Sequence, residues 1–254
     1  MINLEARDVA IVVPGVDNVD EPFGDYYNQI AYDWPIDVRF FETFWKEAEE
    51  DFNPKMDRLA EFARNCKKGF GGNVYFFGMS AGASLVLATM HERLLMDEIA
   101  GAVTISGRLK RGEILDRDSL PEEILRKYPA HQKLVSFFER TIEPYMPADE
   151  RAKVMTLRPK HDQIVPVSTM LLNGALNLEL DLSGHGETMY STEGAQLALA
   201  FMQSREPSDR IFPTNENFNA FVLEKSGGNP QSALEALREA PLFFRSGTLL
   251  DGSF

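Results

Sequence analysis

The chain contains one cysteine, Cys66, and four histidines among 254 residues. A single cysteine excludes an internal disulfide, and no Cys-x-x-Cys pair or His/Cys cluster offers a structural metal centre. Cys66 follows a helix-like stretch in a basic segment, so a surface or half-buried thiol without chemistry is expected. Long apolar runs are missing too. None reaches the roughly 18 residues needed to span a bilayer, and Met1 to Asp8 lacks the basic-then-apolar layout of a signal peptide. A cytoplasmic location is the resulting expectation. Positive charge is scarce: 26 Lys and Arg face 39 Asp and Glu, a formal net charge of −13. Such a balance repels phosphate backbones and anionic lipid, so neither nucleic acid nor a membrane surface is an expected partner. There is no internal repeat and no low-complexity segment. What remains is the composition of a globular protein, 44% hydrophobic and 26% charged, long enough for one α/β domain with a large core.

Apolar, β-rich runs alternate with helical patterns, which predicts a mostly parallel sheet covered by helices on both faces. Strands are expected at Val9–Val13, Val38–Phe41, Val74–Phe77, Ala102–Ile105, Val154–Leu157 and Leu178–Leu182. Their apolar character is continuous rather than alternating, as in strands buried on both sides. A helix is expected over Pro54 to Cys66, with Asn53 as its N-cap and Pro54 at its first position. The charged, proline-containing stretch 107–151 is longer than a parallel crossover requires. It predicts a helical cap or lid, with helices near Pro121–Lys127 and Gln132–Tyr145. Residues 1–204 then form the main domain. Residues 205–254 form an extension with helices near Phe218–Lys225 and Asn229–Ala240. Its apolar end, from Pro241 onward, is expected to pack back on the domain or to contact a partner or a second copy.

One pentapeptide carries chemistry: Gly78-Met79-Ser80-Ala81-Gly82. The run Val74-Tyr75-Phe76-Phe77 leads into it and a small-residue helical segment, Ala83 to Leu95, leads away. Strand, tight turn and helix are the context of a G-x-S-x-G nucleophile elbow. Glycines two places either side of the serine remove Cβ atoms that would clash at a strained turn.

A serine hydroxyl is a poor nucleophile at neutral pH and needs a base, itself oriented by a carboxylate. His91 lies in the helix after the elbow and is expected to face packing or solvent. His131 lies in the proline-rich insertion, and His161 precedes Asp162 and is expected to point away from it. His185 occupies a loop, Ser183-Gly184-His185-Gly186-Glu187, directly after the last strand, where flanking glycines let the imidazole turn over the sheet. It is the expected base. The acid is expected in the turn Lys160-His161-Asp162-Gln163-Ile164-Val165-Pro166, as Asp162. Asp181, inside a strand, is expected to be solvated or paired.

Taken together, the elbow, the Asp162 turn and Gly184-His185-Gly186 resemble the α/β-hydrolase superfamily over roughly residues 8–204, in the chain order Ser, Asp, His. The resemblance implies a three-layer α/β/α sandwich with Ser80 as nucleophile, Asp162 as acid and His185 as base. It also implies an oxyanion hole from the backbone N–H of Ala81 and one from Gly15 or Val16. This sequence lacks the HGGG form of that loop, and the two N-terminal strands usual in the family are absent, leaving a minimal sheet of about six strands. The implied activity is hydrolysis of a carboxylic ester, thioester or small amide, on a small acyl substrate and without cofactor or metal. Acyl transfer or C–C cleavage on the same residues is the alternative, and so is a non-catalytic binding protein on the same fold. Asp17, Asp20, Glu21 and Asp25 near the mouth are expected to disfavour anionic substrates.

Overall fold

The computed structural model describes residues 6–16, 21–45, 51–93, 95, 98–110 and 128–203. Strands and helices alternate as β1 (Arg7–Val13), α1 (Glu21–Asp33), β2 (Asp37–Phe40), α2 (Phe52–Phe70), β3 (Gly71–Met79), α3 (Ala81–Glu92) and β4 (Ile99–Ile105). After an intervening stretch come α4 (Pro129–Phe137), α5 (Ala148–Arg151), β5 (Val154–His161), β6 (Leu176–Ser183), α6 (His185–Met189) and α7 (Thr192–Gln203). All six expected strands are present and pair in parallel, in the order β2-β1-β3-β4-β5-β6. The chain leaves β1 toward one edge and returns on its other side as β3. The strand order therefore reverses between β1 and β3, where open α/β sheets hold their ligands beyond the carboxyl ends of the strands.

Alternation along the strands divides the core into two layers. Val9, Ile11, Val13, Val74 and Phe76 pack with α2, α3 and α4 on one face. Ala10, Val12, Tyr75, Phe77 and Met79 pack with α1 and α7 on the other. Residues Val9 to Val13 have no exposed surface at all, which is why the inner strands read as unbroken apolar runs. β5 runs on through Pro159 to His161. Beyond Leu157 it pairs only with β6, so one side of the strand has no ladder for the proline to interrupt.

Helix α2 differs from expectation at its start. Its cap is Asp51, whose carboxylate accepts from the Phe52 N–H at 2.9 Å, and not Asn53. Pro54 still lies in the first turn, where a missing N–H leaves no intrahelical bond unmade. Leu59, Ala63 and Cys66 recur at i, i+4 and i+7 and face the sheet, so Cys66 is buried rather than surface or half-buried. Burial pushes its thiol pKa upward.

Between β4 and β5, α4 packs against α2 and α3. The single helix expected over Gln132–Tyr145 breaks into α4, a π turn at Phe138–Ile142 and a 3₁₀ turn at Glu143–Tyr145. Pro144 has no N–H to continue an α-helical ladder, and the chain changes pitch there. Arg151 pins the end of this stretch, donating to the carbonyl oxygens of Met146, Asn173 and Glu143. The helices expected near 121–127, 218–225 and 229–240, the apolar end from 241, and the acidic residues Asp17 and Asp20 lie outside the described residues. Among the described residues, no helix is long and apolar enough to cross a membrane.

Candidate active site

Ser80 occupies the junction of β3 and α3, at φ 50° and ψ −119°. A non-glycine residue with positive φ is strained, and the surroundings must hold it there. They do so through contacts that only glycine permits. A Cβ on Gly78 would meet Val86 Cγ2 at 2.8 Å and the Ala83 Cα at 2.9 Å. A Cβ on Gly82 would lie 2.1 Å from the Val13 carbonyl oxygen and 2.7 Å from that of Pro14. The first turn of α3 is thereby pressed onto the end of β1, and the Ser80 N–H donates to the Ile105 carbonyl at 2.9 Å.

His185 and Asp162 converge on this serine. The Nε2 of His185 lies 3.0 Å from Ser80 Oγ, and its Nδ1 lies 2.7 Å from Asp162 Oδ2. A carboxylate oxygen accepts, so Nδ1 carries the hydrogen and Nε2 is left to accept from the serine hydroxyl. The other oxygen of Asp162 accepts the backbone N–H groups of Ile164 at 2.7 Å and Val165 at 2.8 Å. One carboxylate thus both forms an Asx-type turn and fixes the imidazole. All three groups are buried: Ser80 is 9% exposed, His185 4%, and the Asp162 side chain is fully covered.

His185 is not in a loop but opens the single-turn helix α6. Gly184 precedes it at φ 121°, a conformation closed to other residues, and the Gly184 N–H donates to the His161 carbonyl at 2.8 Å. The His185 N–H donates to Gln163 Oε1 at 3.2 Å. Gln163 carries no signal in the sequence beyond its place beside Asp162.

Around the serine, the first residue of α3 is Ala81, whose N–H has no preceding intrahelical acceptor. Gly15 is buried and Val16 half-buried at the end of β1, beside the same turn. A second strained residue, Ser106, directly follows β4 with φ 50° and is fully buried, its hydroxyl without a hydrogen-bond partner among the described residues. A Cβ on the following Gly107 would stand 2.1 Å from Ala83 Cβ, so this segment too is seated against the elbow. The positive φ at Ser106 carries no sequence signal, because serine ordinarily avoids it.

The remaining candidates lie elsewhere. His91 Nδ1 pairs with Glu150 at 2.8 Å, joining α3 to α5. His161 is exposed at the end of β5. Asp181 pairs with Lys160 at 2.8 Å on the surface, and that hydrogen bond with its charge raises the lysine pKa. His131 is buried on α4, and burial, with the Arg108 charge, lowers its pKa to about 3. Among the described residues, no group of three or more His, Cys, Asp or Glu is placed to hold a metal ion.

No protein-family model matches the chain, and no curated protein matches it by sequence. Solved structures do match it. Aspergillus fumigatus lipase B aligns over 92% of this chain and 63% of its own length, at 14% identity and a TM-score of 0.57. This chain therefore spans under two thirds of that lipase. N-formylmaleamic acid deformylase from Pseudomonas putida aligns over 76% of this chain and 92% of its own, at 10% identity and a TM-score of 0.52. A Bacillus licheniformis lipase in its mature form aligns over 73% of this chain and 87% of its own, at 12% identity and a TM-score of 0.52. The chain has the α/β-hydrolase fold.

Proposed function

We propose that this protein is a serine hydrolase, cleaving a carboxylic ester, thioester or small amide through an acyl-enzyme on Ser80. The observation that carries this reading is the unbroken chain Ser80 Oγ–His185–Asp162, with links of 3.0 and 2.7 Å. Its geometry matches what nucleophilic catalysis by an alcohol requires. Similarity in fold to lipases and a deformylase supports hydrolysis as the reaction class.

In this mechanism Ser80 Oγ attacks the substrate carbonyl carbon while its proton passes to His185 Nε2. The imidazolium is stabilised by Asp162, which is held in place by the Ile164 and Val165 N–H groups. The carbonyl oxygen gains charge and rests on the Ala81 N–H and that of Gly15 or Val16. These donors are preorganised because Gly82 locks the turn against Val13 and Pro14. The tetrahedral species collapses, and the leaving group departs with the proton from Nε2. A water, deprotonated by the same nitrogen, then attacks the acyl-serine and releases the acid. In this reading the described part of the stretch between β4 and β5, with α4, supplies walls that select the substrate.

The test is labelling with a fluorophosphonate probe alongside hydrolysis of p-nitrophenyl esters. The wild-type chain should label at Ser80 and turn over. Ser80→Ala should neither label nor hydrolyse, losing on the order of a millionfold in kcat. A variant retaining either activity rejects the assignment, and a wild type inert to both makes the fold a binding scaffold.

A further inference from the structure

Buried nitrogen atoms without partners are rare, because leaving one unpaired costs stability. Two occur here on facing rings. Trp45, on the loop after β2, and His131, on α4, meet edge to face with ring centroids 5.5 Å apart at 73°. Trp45 is 4% exposed and His131 8%. Among the described residues, neither Trp45 Nε1 nor His131 Nε2 has a hydrogen-bond partner.

The pair lies on the face of the sheet against which the first turn of α3 packs. Trp45 belongs to the same apolar cluster as Ala81, Ala83, Leu109, Tyr128 and Leu134, on which Val16 also packs. From the other direction, Gly107 is seated on Ala83 and close to the Ser80 carbonyl oxygen. The next residue, Arg108, donates to Gln132 Oε1 at 3.2 Å, tying the elbow to the turn of α4 that carries His131. Lys55 fixes the Trp45 side. It is fully buried, its ammonium donates to the Thr43 and Phe44 carbonyls at 3.0 and 2.8 Å, and it lies 5.5 Å from the centre of the Trp45 ring. Phe44 is held there at φ 52°. The orphan nitrogens are therefore held by a braced frame and are not the loose end of a surface loop.

Resting on the hydrolase reading above, we infer that Trp45 and His131 form a polar subsite that selects substrates carrying an uncharged oxygen function, above all a hydroxyl, on an otherwise apolar chain. The chemistry of the two nitrogens narrows the ligand. An indole N–H can only donate, so its partner must accept. A hydroxyl accepts from Trp45 and donates to His131 Nε2, or accepts from both nitrogens when Nε2 carries the hydrogen. Either imidazole tautomer is served. Both nitrogens are buried, where an ionised carboxylate is far costlier to desolvate than a hydroxyl, which favours a neutral group. The apolar neighbours Leu109, Tyr128 and Leu134 suit the rest of the chain.

The experiment uses the full chain and a series of straight-chain p-nitrophenyl esters, each made with a methyl, a hydroxyl and a carboxylate end. Wild type should show, at one chain length, a kcat/KM for the hydroxyl-ended ester about tenfold above the methyl-ended one, the worth of one net hydrogen bond. Trp45→Phe keeps the ring and removes the N–H. It should erase that preference by lowering the hydroxyl-ended rate while leaving the methyl-ended rate unchanged, and His131→Leu should do the same. Fluorophosphonate labelling of Ser80 at the wild-type rate verifies that each variant is folded and its centre intact. Should neither variant fold, the wild-type preference alone decides. Equal rates for the two ends at every length, a preference for the carboxylate end, or an equal loss on both esters in Trp45→Phe overturns the inference. Equal rates would mean that the nitrogens share a water. In each case labelling and turnover persist, so the hydrolase reading stands; loss of both in wild type is the failure of that reading instead.

Discussion

Ser106 stands beside Ser80 at the ends of neighbouring strands, and both are held at φ 50°. The pairing of Met79 with Ile105 sets the two serines side by side, and the Ser80 N–H donates to the carbonyl just before Ser106. Ser106 therefore bears strain, and a hydroxyl unpaired among the described residues, at the rim that seats Ser80. Relief of either should stabilise the protein. Ser106→Gly is expected to raise stability by about 1 kcal/mol, a rise in Tm of roughly 2–4 °C for a chain of this size. Ser106→Val, with a branched Cβ at positive φ, should lower it. Thermal unfolding of the two variants checks this, and a lower Tm for the glycine variant contradicts the strain argument.

Gly82 is the point where the elbow touches the end of β1, next to the proposed second oxyanion donor. Gly82→Ala drives a Cβ into the Val13 and Pro14 carbonyl oxygens, both backbone atoms that cannot rotate away. We expect a loss of about 1–3 kcal/mol in urea unfolding. A fall on the order of a hundredfold in kcat should accompany it as the donors shift from the oxyanion. Stability and kcat measured on one preparation test both parts, and an unchanged kcat would separate the elbow packing from the oxyanion hole.

Asp162 accepts three hydrogen bonds, two structural and one from His185. Asp162→Asn keeps the shape but offers an N–H₂ where Nδ1–H requires an acceptor, or rotates it toward the Ile164 and Val165 donors. The imidazole then loses its tautomer. kcat for ester hydrolysis is expected to fall on the order of 10⁴-fold. Retention of a tenth of wild-type kcat would place the acid elsewhere.

His131 ties stability to pH. Its pKa falls from 6.5 to about 3 on folding. Above pH 6.5 the ring is neutral in both folded and unfolded chains and contributes no pH dependence. Between pH 6.5 and 3 only the unfolded chain binds the proton, so this residue makes stability fall as pH falls. The slope approaches roughly 1.4 kcal/mol per pH unit. His131→Leu removes that slope, so the variant should gain on wild type as pH drops from 7 to 5. Urea unfolding across that range measures the difference, and parallel curves for the two proteins would show that the ring is not held neutral.

Much of the architecture is legible in the residues themselves. Unbroken apolar runs such as Val74 to Phe77 mark strands covered on both faces, and all six are found. The elbow is readable because Gly78 and Gly82 answer a steric demand that acts within a few residues. Asp162 is readable as a turn residue for the same reason. The misreadings share one cause. Asn53 and Asp51 are both sound caps, and the choice between them depends on where the α2 face meets the sheet. Cys66 reads as a surface or half-buried thiol from its basic neighbours, yet its helical position turns it inward. His131 offers no local pattern, since its burial depends on α4 packing over α2 and α3.

The sequence by itself determined the strands, the parallel layered class, the strained serine turn and the residue types able to share a proton. Each of these follows from forces acting over a few bonds or one helical turn. Only the tertiary structure decided that an imidazole 105 residues away meets Ser80, that Ser106 bears strain beside it, and that the rings of Trp45 and His131 meet edge to face. Those outcomes depend on strand order, register and the seating of helices. They are set by the packing of the whole core, where no single residue carries the signal.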